Sequence, residues 1–213
     1  MMRLGKCEGP RGLMSDLAVR DDELVRRTLE GQEDAFVELY HRFQASVYRF
    51  ALGMLGSRES AEDVTQETFM VLLREGGRFD PTKGALGSYL RGIARFLVYK
   101  RFRREGRYVP LAEDFDEAAP AGEEGDPSER LARIEDVRTV RTAVAALPAH
   151  YREVVVLAEL EGLSYADVAE TLCLPIGTVR SRLFRAREIL ARGLSPNNKR
   201  APAWSGAFLG LTS

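Results

Sequence analysis

Residues 163–191 constrain the fold more than any other part of this 213-residue chain. Leu163-Ser164-Tyr165-Ala166-Asp167-Val168 reads as a helix start. Ser164 can cap the free amides of the first turn, Asp167 completes a capping box, and Leu163 and Val168 occupy the positions of a hydrophobic staple. Ala166, Val168, Ala169 and Leu172 continue a short helix, and Cys173-Leu174 makes a turn. Pro175 stands where a second helix can begin, because its missing N–H is not needed there. Along that second helix Ile176, Val179, Leu183, Ala186 and Leu190 fall on one side and form an inward stripe. Gly177, Thr178, Ser181, Phe184 and Arg185 fall opposite, with Arg180 at their edge and Arg182 and Arg187 on the flanks. The pattern is a helix-turn-helix over roughly 164–191.

A helix that sets guanidinium, hydroxyl and aromatic groups opposite its core stripe suits a DNA major groove. Arg180, Ser181, Phe184 and Arg185 are then expected towards base edges, with Arg182 and Arg187 towards phosphates. A merely solvated basic face would need neither the capped first helix nor the short turn.

The rest of the chain organises around this unit. Net charge is only −1, but its distribution is uneven. Residues 112–129 hold eight acids (Glu113, Asp114, Asp116, Glu117, Glu123, Glu124, Asp126 and Glu129) and no Lys or Arg, with Pro and Gly interspersed. Such a stretch cannot bury enough apolar surface to offset its chain entropy. It predicts an acidic flexible linker over 109–130 between helical domains at 21–108 and 131–192, with loose tails at 1–20 and 193–213. No segment alternates apolar and polar residues strictly enough for a strand, so the expected fold is all-α, in two small helical domains.

Within the first domain, Ala35, Phe36, Leu39, Tyr40, Phe43, Val47, Phe50, Ala51 and Met54 form one apolar stripe. Gly53 and Gly56-Ser57 are expected to end that helix, and Ser60-Ala61-Glu62-Asp63 to open another that runs to about Glu75. Val64, Thr68, Val71 and Leu72 are its expected inward side. Asp63, Gln66, Glu67 and Met70 share another side with Phe69 beside them, which reads either as a protein-docking face or as a Phe buried in a small core. After a loop at Asp80–Gly84, Ser88 is the expected N-cap of a third helix from Tyr89 to about Arg104, with Leu90, Ile93, Ala94, Leu97 and Val98 inward. Arg91, Arg95, Lys100, Arg101, Arg103, Arg104 and Arg107 crowd this helix, interleaved with Tyr89, Phe96, Tyr99 and Phe102. Cations beside exposed rings fit single-stranded nucleic acid, and rings facing inward would make the same helix a packing element.

Cys7 and Cys173 are the only cysteines, and His41 and His150 are solitary, so no disulfide framework, metal spacing or catalytic constellation is expected. No apolar run approaches the ~20 residues of a membrane span. With no signal-peptide core at its start, the chain reads as cytoplasmic and non-enzymatic, without a cofactor.

Two motifs together resemble the extracytoplasmic-function sigma factors of the sigma-70 family. Ser164–Ala169 followed by Gly177–Glu188 is similar to their region four, and Leu147-Pro148 with Tyr151-Arg152-Glu153 to the start of that module. Ala61-Glu62-Asp63-Val64-Thr65-Gln66-Glu67-Thr68-Phe69 is similar to region two. The resemblance implies a polymerase subunit that recognises the −10 and −35 promoter elements. Asp63, Gln66, Glu67, Phe69 and Met70 would dock on the β′ clamp helices of core RNA polymerase, whose β flap is a second partner. Tyr89, Arg91, Arg95, Phe96, Tyr99, Lys100 and Arg103 would act at the −10 element, with the loop at about 78–88 receiving a flipped base. Thr178, Arg180, Ser181, Arg182, Phe184, Arg185 and Arg187 would act at the −35 element, and an anti-sigma factor is an expected partner. The chain departs from the family pattern at Phe96 and Lys100, where Asn and Asp are frequent, and at Cys173, where Gly is common. The rival reading is a stand-alone helix-turn-helix regulator.

Overall fold

The computed structural model describes residues 20–104 and 127–194. Both tails and most of the expected acidic linker lie outside the described residues. Every regular element is helical: α1 (Asp21–Leu29), α2 (Glu33–Leu55), α3 (Arg58–Glu75), a 3₁₀ turn (Gly76–Arg78), α4 (Leu86–Arg104), α5 (Pro127–Ala146), α6 (Ala149–Val155), a π-helical turn (Val156–Leu160), α7 (Tyr165–Leu172) and α8 (Ile176–Leu194). α5 begins at Pro127, inside the stretch expected to be linker, and Pro at a first helical position costs no hydrogen bond.

In the first module α2 packs against α1, α3 and α4. Leu39, Val47, Phe50, Ala51 and Met54 of α2 meet Ala61, Val64, Phe69 and Leu72 of α3 and Leu86, Leu90, Ala94 and Val98 of α4 in one core. Thr65 and Thr68 are buried among them, and each hydroxyl donates to a carbonyl one turn back (Ala61 and Val64, both 2.7 Å). That removes the cost of an unpaired buried hydroxyl. α2 runs through Gly53 and ends at Gly56, whose φ of 72° is the left-handed stop that glycine adopts without a Cβ clash. The cap of α3 is Ser57, not Ser60: Ser57 Oγ accepts from Ser60 N at 3.3 Å.

α4 also starts earlier than expected, at Leu86. Leu86 is fully buried and draws the first turn onto the core, so Ser88 lies inside the helix. Its hydroxyl accepts from Thr171 Oγ1 (3.3 Å) instead of capping.

In the second module α6, α7 and α5 surround α8. The helix-turn-helix has the predicted local chemistry. Ser164 Oγ accepts from Asp167 N (3.2 Å) and donates to Asp167 Oδ2 (2.6 Å), while Val168 is buried beside Leu163. Val179, Leu183, Ala186 and Leu190 form the inward stripe of α8. Ile176 does not join it; as the first residue of α8 it is 43 % exposed.

Cys173 ends α7 with φ 52°, the one non-glycine residue in the left-handed region among the described residues. That conformation costs an L-residue roughly 1–2 kcal/mol, and a glycine gives back about 0.5–1 kcal/mol of it through unfolded-chain entropy. Cys173→Gly is therefore expected to stabilise the protein by about 0.5 kcal/mol in urea unfolding. A loss of stability would show that the Cys173 thiol contact to Glu170 O (3.6 Å) outweighs the backbone strain.

The two modules pack on one another. α2 lies against α5, α6 and the π-helical turn, and α4 lies against α7. The approach is close enough that a Cβ on Gly53 would stand 2.8 Å from Val156 Cγ1.

Candidate nucleic-acid and polymerase interfaces

The expected base-reading face of α8 is open. Arg180, Ser181, Phe184 and Arg185 are all exposed, Phe184 at 60 %, directly opposite the buried stripe. Arg185 is held only by an exposed bridge to Glu188 one turn on (2.8 Å), which DNA can displace at small cost. Thr178 is half-buried in the first turn, and its carbonyl accepts from Ser181 Oγ (3.0 Å). The two flanking arginines are engaged. Arg187 bonds Glu159 (2.6 Å) and Tyr165 OH (3.3 Å); burial works against its charge, but those two partners keep its pKa raised. Arg182 bonds Glu153 Oε1 (3.0 Å).

The residues expected at the −10 element divide into two groups. Phe96, Lys100 and Arg103 are exposed, and Phe96, at 53 %, is the open ring of the set. Tyr89 is half-buried and tilted against Phe79 at 5.4 Å between ring centres; burial, then the nearby Glu75 charge, raises its pKa. Arg91, Arg95 and Tyr99 face the second module. Arg95 Nε donates to Glu153 Oε2 (2.7 Å), Tyr99 OH donates to the same oxygen (2.9 Å), and Arg95 also lies over the Tyr99 ring at 5.0 Å. Burial opposes the Arg95 charge, yet the bond to Glu153 leaves its pKa raised. Burial lowers that of Arg91, whose Nε has no hydrogen-bond partner. The basic aromatic helix thus serves both readings at once: one side packs and the other is open.

On α3, Asp63, Gln66, Glu67 and Met70 are exposed, with Met70 at 45 %. Asp63 pairs with Arg101 (3.2 Å) and Glu67 with Lys100 (3.7 Å), so acids of α3 and bases of α4 meet along one groove. Phe69 corrects the docking-face expectation. It is only 2 % exposed, with its ring against Tyr40 (4.8 Å) and Phe36 (6.5 Å). The apolar stripe of α2 turns two aromatic rings towards this position, and their packing captures it. Met70, one position on, is the apolar group left among the acids.

Arg152 and Glu153, named above only as part of a motif, join the two modules. Glu153 is fully buried and binds Arg95, Tyr99 and Arg182, that is, both modules. Its neighbour Arg152 is 4 % exposed; it donates to Met54 O (2.5 Å), Leu147 O (3.0 Å) and Ala145 O, and lies over the Phe102 ring at 5.7 Å. Met54 lies in the last turn of α2 and Ala145 in the last turn of α5, so one guanidinium caps the negative ends of two helices. A signal was available: adjacent opposite charges at 152–153 open the apolar run Val154-Val155-Val156-Leu157, which marks charges destined for burial.

Two helical modules, one with an exposed arginine-rich recognition helix and one with a basic aromatic helix beside an acidic face, define a DNA-binding factor with a protein-docking surface. Comparison with known proteins gives the family. Residues 39–108 match Sigma-70 region 2 and residues 138–190 match Sigma-70 region 4. The RNA polymerase sigma-H factor of Pseudomonas aeruginosa is 34 % identical over 187 residues, covering 83 % of this chain and 95 % of that one. The ECF RNA polymerase sigma-E factor of Haemophilus influenzae is 34 % identical, over 83 % of this chain and 96 % of its own length. Among solved structures, the Bartonella quintana sigma factor RpoE, crystallised with the anti-sigma factor NepR, superposes with a TM-score of 0.60 at 26 % identity, covering 76 % of this chain and 98 % of that one. CnrH, solved with the cytosolic domain of CnrY, gives 0.59 at 25 % identity, covering 80 % of this chain and 94 % of that one. The chain belongs to the extracytoplasmic-function group of the sigma-70 family: it is a sigma factor, which directs core RNA polymerase to promoters.

Proposed function

We propose that α8 reads the −35 element through Arg180, Ser181, Phe184 and Arg185, with Thr178, Arg182 and Arg187 on the adjoining backbone. The observation that carries this is the exposure of all four groups opposite a fully buried stripe, the geometry a groove-reading helix needs. The −10 element falls to α4, where Phe96, Lys100 and Arg103 supply an open ring and cations, and Tyr89, Arg91, Arg95 and Tyr99 complete the set once the modules part. The acidic side of α3, with Asp63, Gln66, Glu67 and Met70, is the candidate surface for the β′ clamp helices, and the second module for the β flap. The factor acts in the cytoplasm, without catalysis of its own or a cofactor. Like the Bartonella quintana sigma factor solved with the anti-sigma factor NepR, it is a candidate for restraint by such a protein. Among the described residues no helix is long and apolar enough to cross a membrane.

The test is in vitro transcription from a promoter library with core polymerase, with and without this protein. Promoter-specific initiation is expected only with it, and its failure would sink the reading. A stand-alone regulator would instead bind its sites tightly without polymerase. Arg185→Ala is expected to cost roughly 1–3 kcal/mol at the −35 element and to relax specificity at one position. Equal weakening on all sequences would place Arg185 on phosphate.

A further inference from the structure

An apolar groove lies open on the second module, beside the end of α8. Ala143 and Ala146 of α5 line it opposite Ile189, Leu190, Gly193 and Leu194 of α8. The alanines and the glycine make it a recess: a Cβ on Gly193 would meet no atom within 4 Å. Its volume is about 550 Å³, in the range of clefts that bury a drug-sized molecule. Thr142 also lines the groove, and its hydroxyl is already satisfied by donating to Arg138 O (2.9 Å). Arg138 is exposed at the same groove and forms no ion pair among the described residues. What the groove lacks is apolar bulk.

The chain that follows α8 carries matching groups. Residues 195–203 hold no large apolar side chain, and Trp204, Phe208, Leu209 and Leu211 then fall within eight residues. Trp204, Phe208 and Leu211 are spaced i, i+4 and i+7, the anchor spacing of a segment that lays one apolar face into a groove. We propose that residues 204–211 fill the α5–α8 groove, so that the tail expected to be loose covers the second module instead. Pro196 cannot extend α8, so the chain turns off the helix axis beside Gly193 and Leu194. The ten residues from Leu194 to Trp204 span at most about 33–36 Å, whereas Ala146 and Arg138 stand only about 12 Å apart along α5. The spacer therefore reaches every part of the groove. Tethering holds the segment at an effective concentration on the order of mM, so a weak intrinsic affinity suffices. A second copy or a separate protein has no such advantage at this surface. Each ring brings roughly 150–250 Å² of burial, and Arg138 offers a cation for an indole face. Residues 195–213 contain no Asp or Glu, so no acidic side chain is carried into the apolar slot.

Trp204 is the single tryptophan of the chain, so its fluorescence reports on the tail directly. The full-length protein, without polymerase, is excited where tyrosine does not absorb, and its emission maximum and acrylamide quenching are compared with those of N-acetyltryptophanamide. The unaltered protein is expected to emit to the blue of the free indole and to resist quenching several-fold. Ala146→Lys and Ile189→Lys place a charge in the groove at exposed helical positions, where lysine is a good helix former. Both are expected to return Trp204 to free-indole emission and quenching with helical circular dichroism retained. Val37→Lys, at an exposed apolar residue of α2, is expected to match the parent. Free-indole behaviour in the parent overturns the proposal and leaves the groove to another protein. A shielded Trp204 that folded Ala146→Lys and Ile189→Lys fail to release also overturns it, and if one of the two does not fold the other decides. Equal release by Val37→Lys overturns it too, because the groove would then have no special part. Shielding that grows with protein concentration, together with dimers in sedimentation, overturns it in favour of a second copy. The inference uses neither the promoter nor the polymerase assignments, so transcription assays judge those separately.

Discussion

Arg152→Met is expected to lower the free energy of unfolding by about 3 kcal/mol or more, the largest effect of any single substitution away from the apolar core. Methionine fills much of the same volume, so the loss is not one of packing. It comes from Met54 O, Ala145 O and Leu147 O, which keep no donor when the guanidinium goes. Each orphaned buried acceptor costs roughly 1–3 kcal/mol, and here two of them belong to helix ends that already carry partial negative charge. Arg152→Lys should recover only part of the loss, because one ammonium cannot match the planar fork that reaches α2, α5 and the α5–α6 connection together. Urea denaturation followed by circular dichroism checks both variants. Equal stability of Arg152→Met and the parent would mean that water replaces the guanidinium and that the site is not sealed.

Phe69→Ala and Met70→Ala are expected to separate cleanly although the residues are neighbours. Phe69 is 2 % exposed between Phe36 and Tyr40, so its truncation should cost about 3–5 kcal/mol of stability and weaken polymerase binding only through unfolding. Met70 is 45 % exposed among Asp63, Gln66 and Glu67; Met70→Ala should leave the unfolding transition within ~0.5 kcal/mol and weaken core polymerase binding several-fold. Asp63→Arg should do the same by reversing a charge. Melting curves and core-binding titrations on the same preparations decide the matter. A stable Phe69→Ala, or a Met70→Ala with unchanged core affinity, would refute the division of labour on α3.

Local rules made much of the fold legible. The capping box at Ser164 and Asp167, the turn at Cys173-Leu174 and the stripe from Val179 to Leu190 all depend on residues within a few positions of one another. Three elements were misplaced where tertiary packing overrode a local preference. Burial of Leu86 moved the start of α4 away from Ser88, the edge of the core left Ile176 exposed, and the rings of Phe36 and Tyr40 drew Phe69 inward. Helical periodicity places a side chain on a face; it does not say how wide the partner opposite that face is.

By itself the sequence determined an all-α chain, a helix-turn-helix with Arg180, Ser181, Phe184 and Arg185 on one face, and an acidic segment between two modules. These follow from helix geometry, capping and composition, which act over one or two turns. Only the tertiary structure decided which basic residues of α4 are open and which are held, that one buried carboxylate at Glu153 serves both modules, and that Arg152 closes the ends of two helices far apart in the chain. The reason is physical. A charge can be buried only where partners converge from several elements, and no spacing along a single helix encodes that convergence.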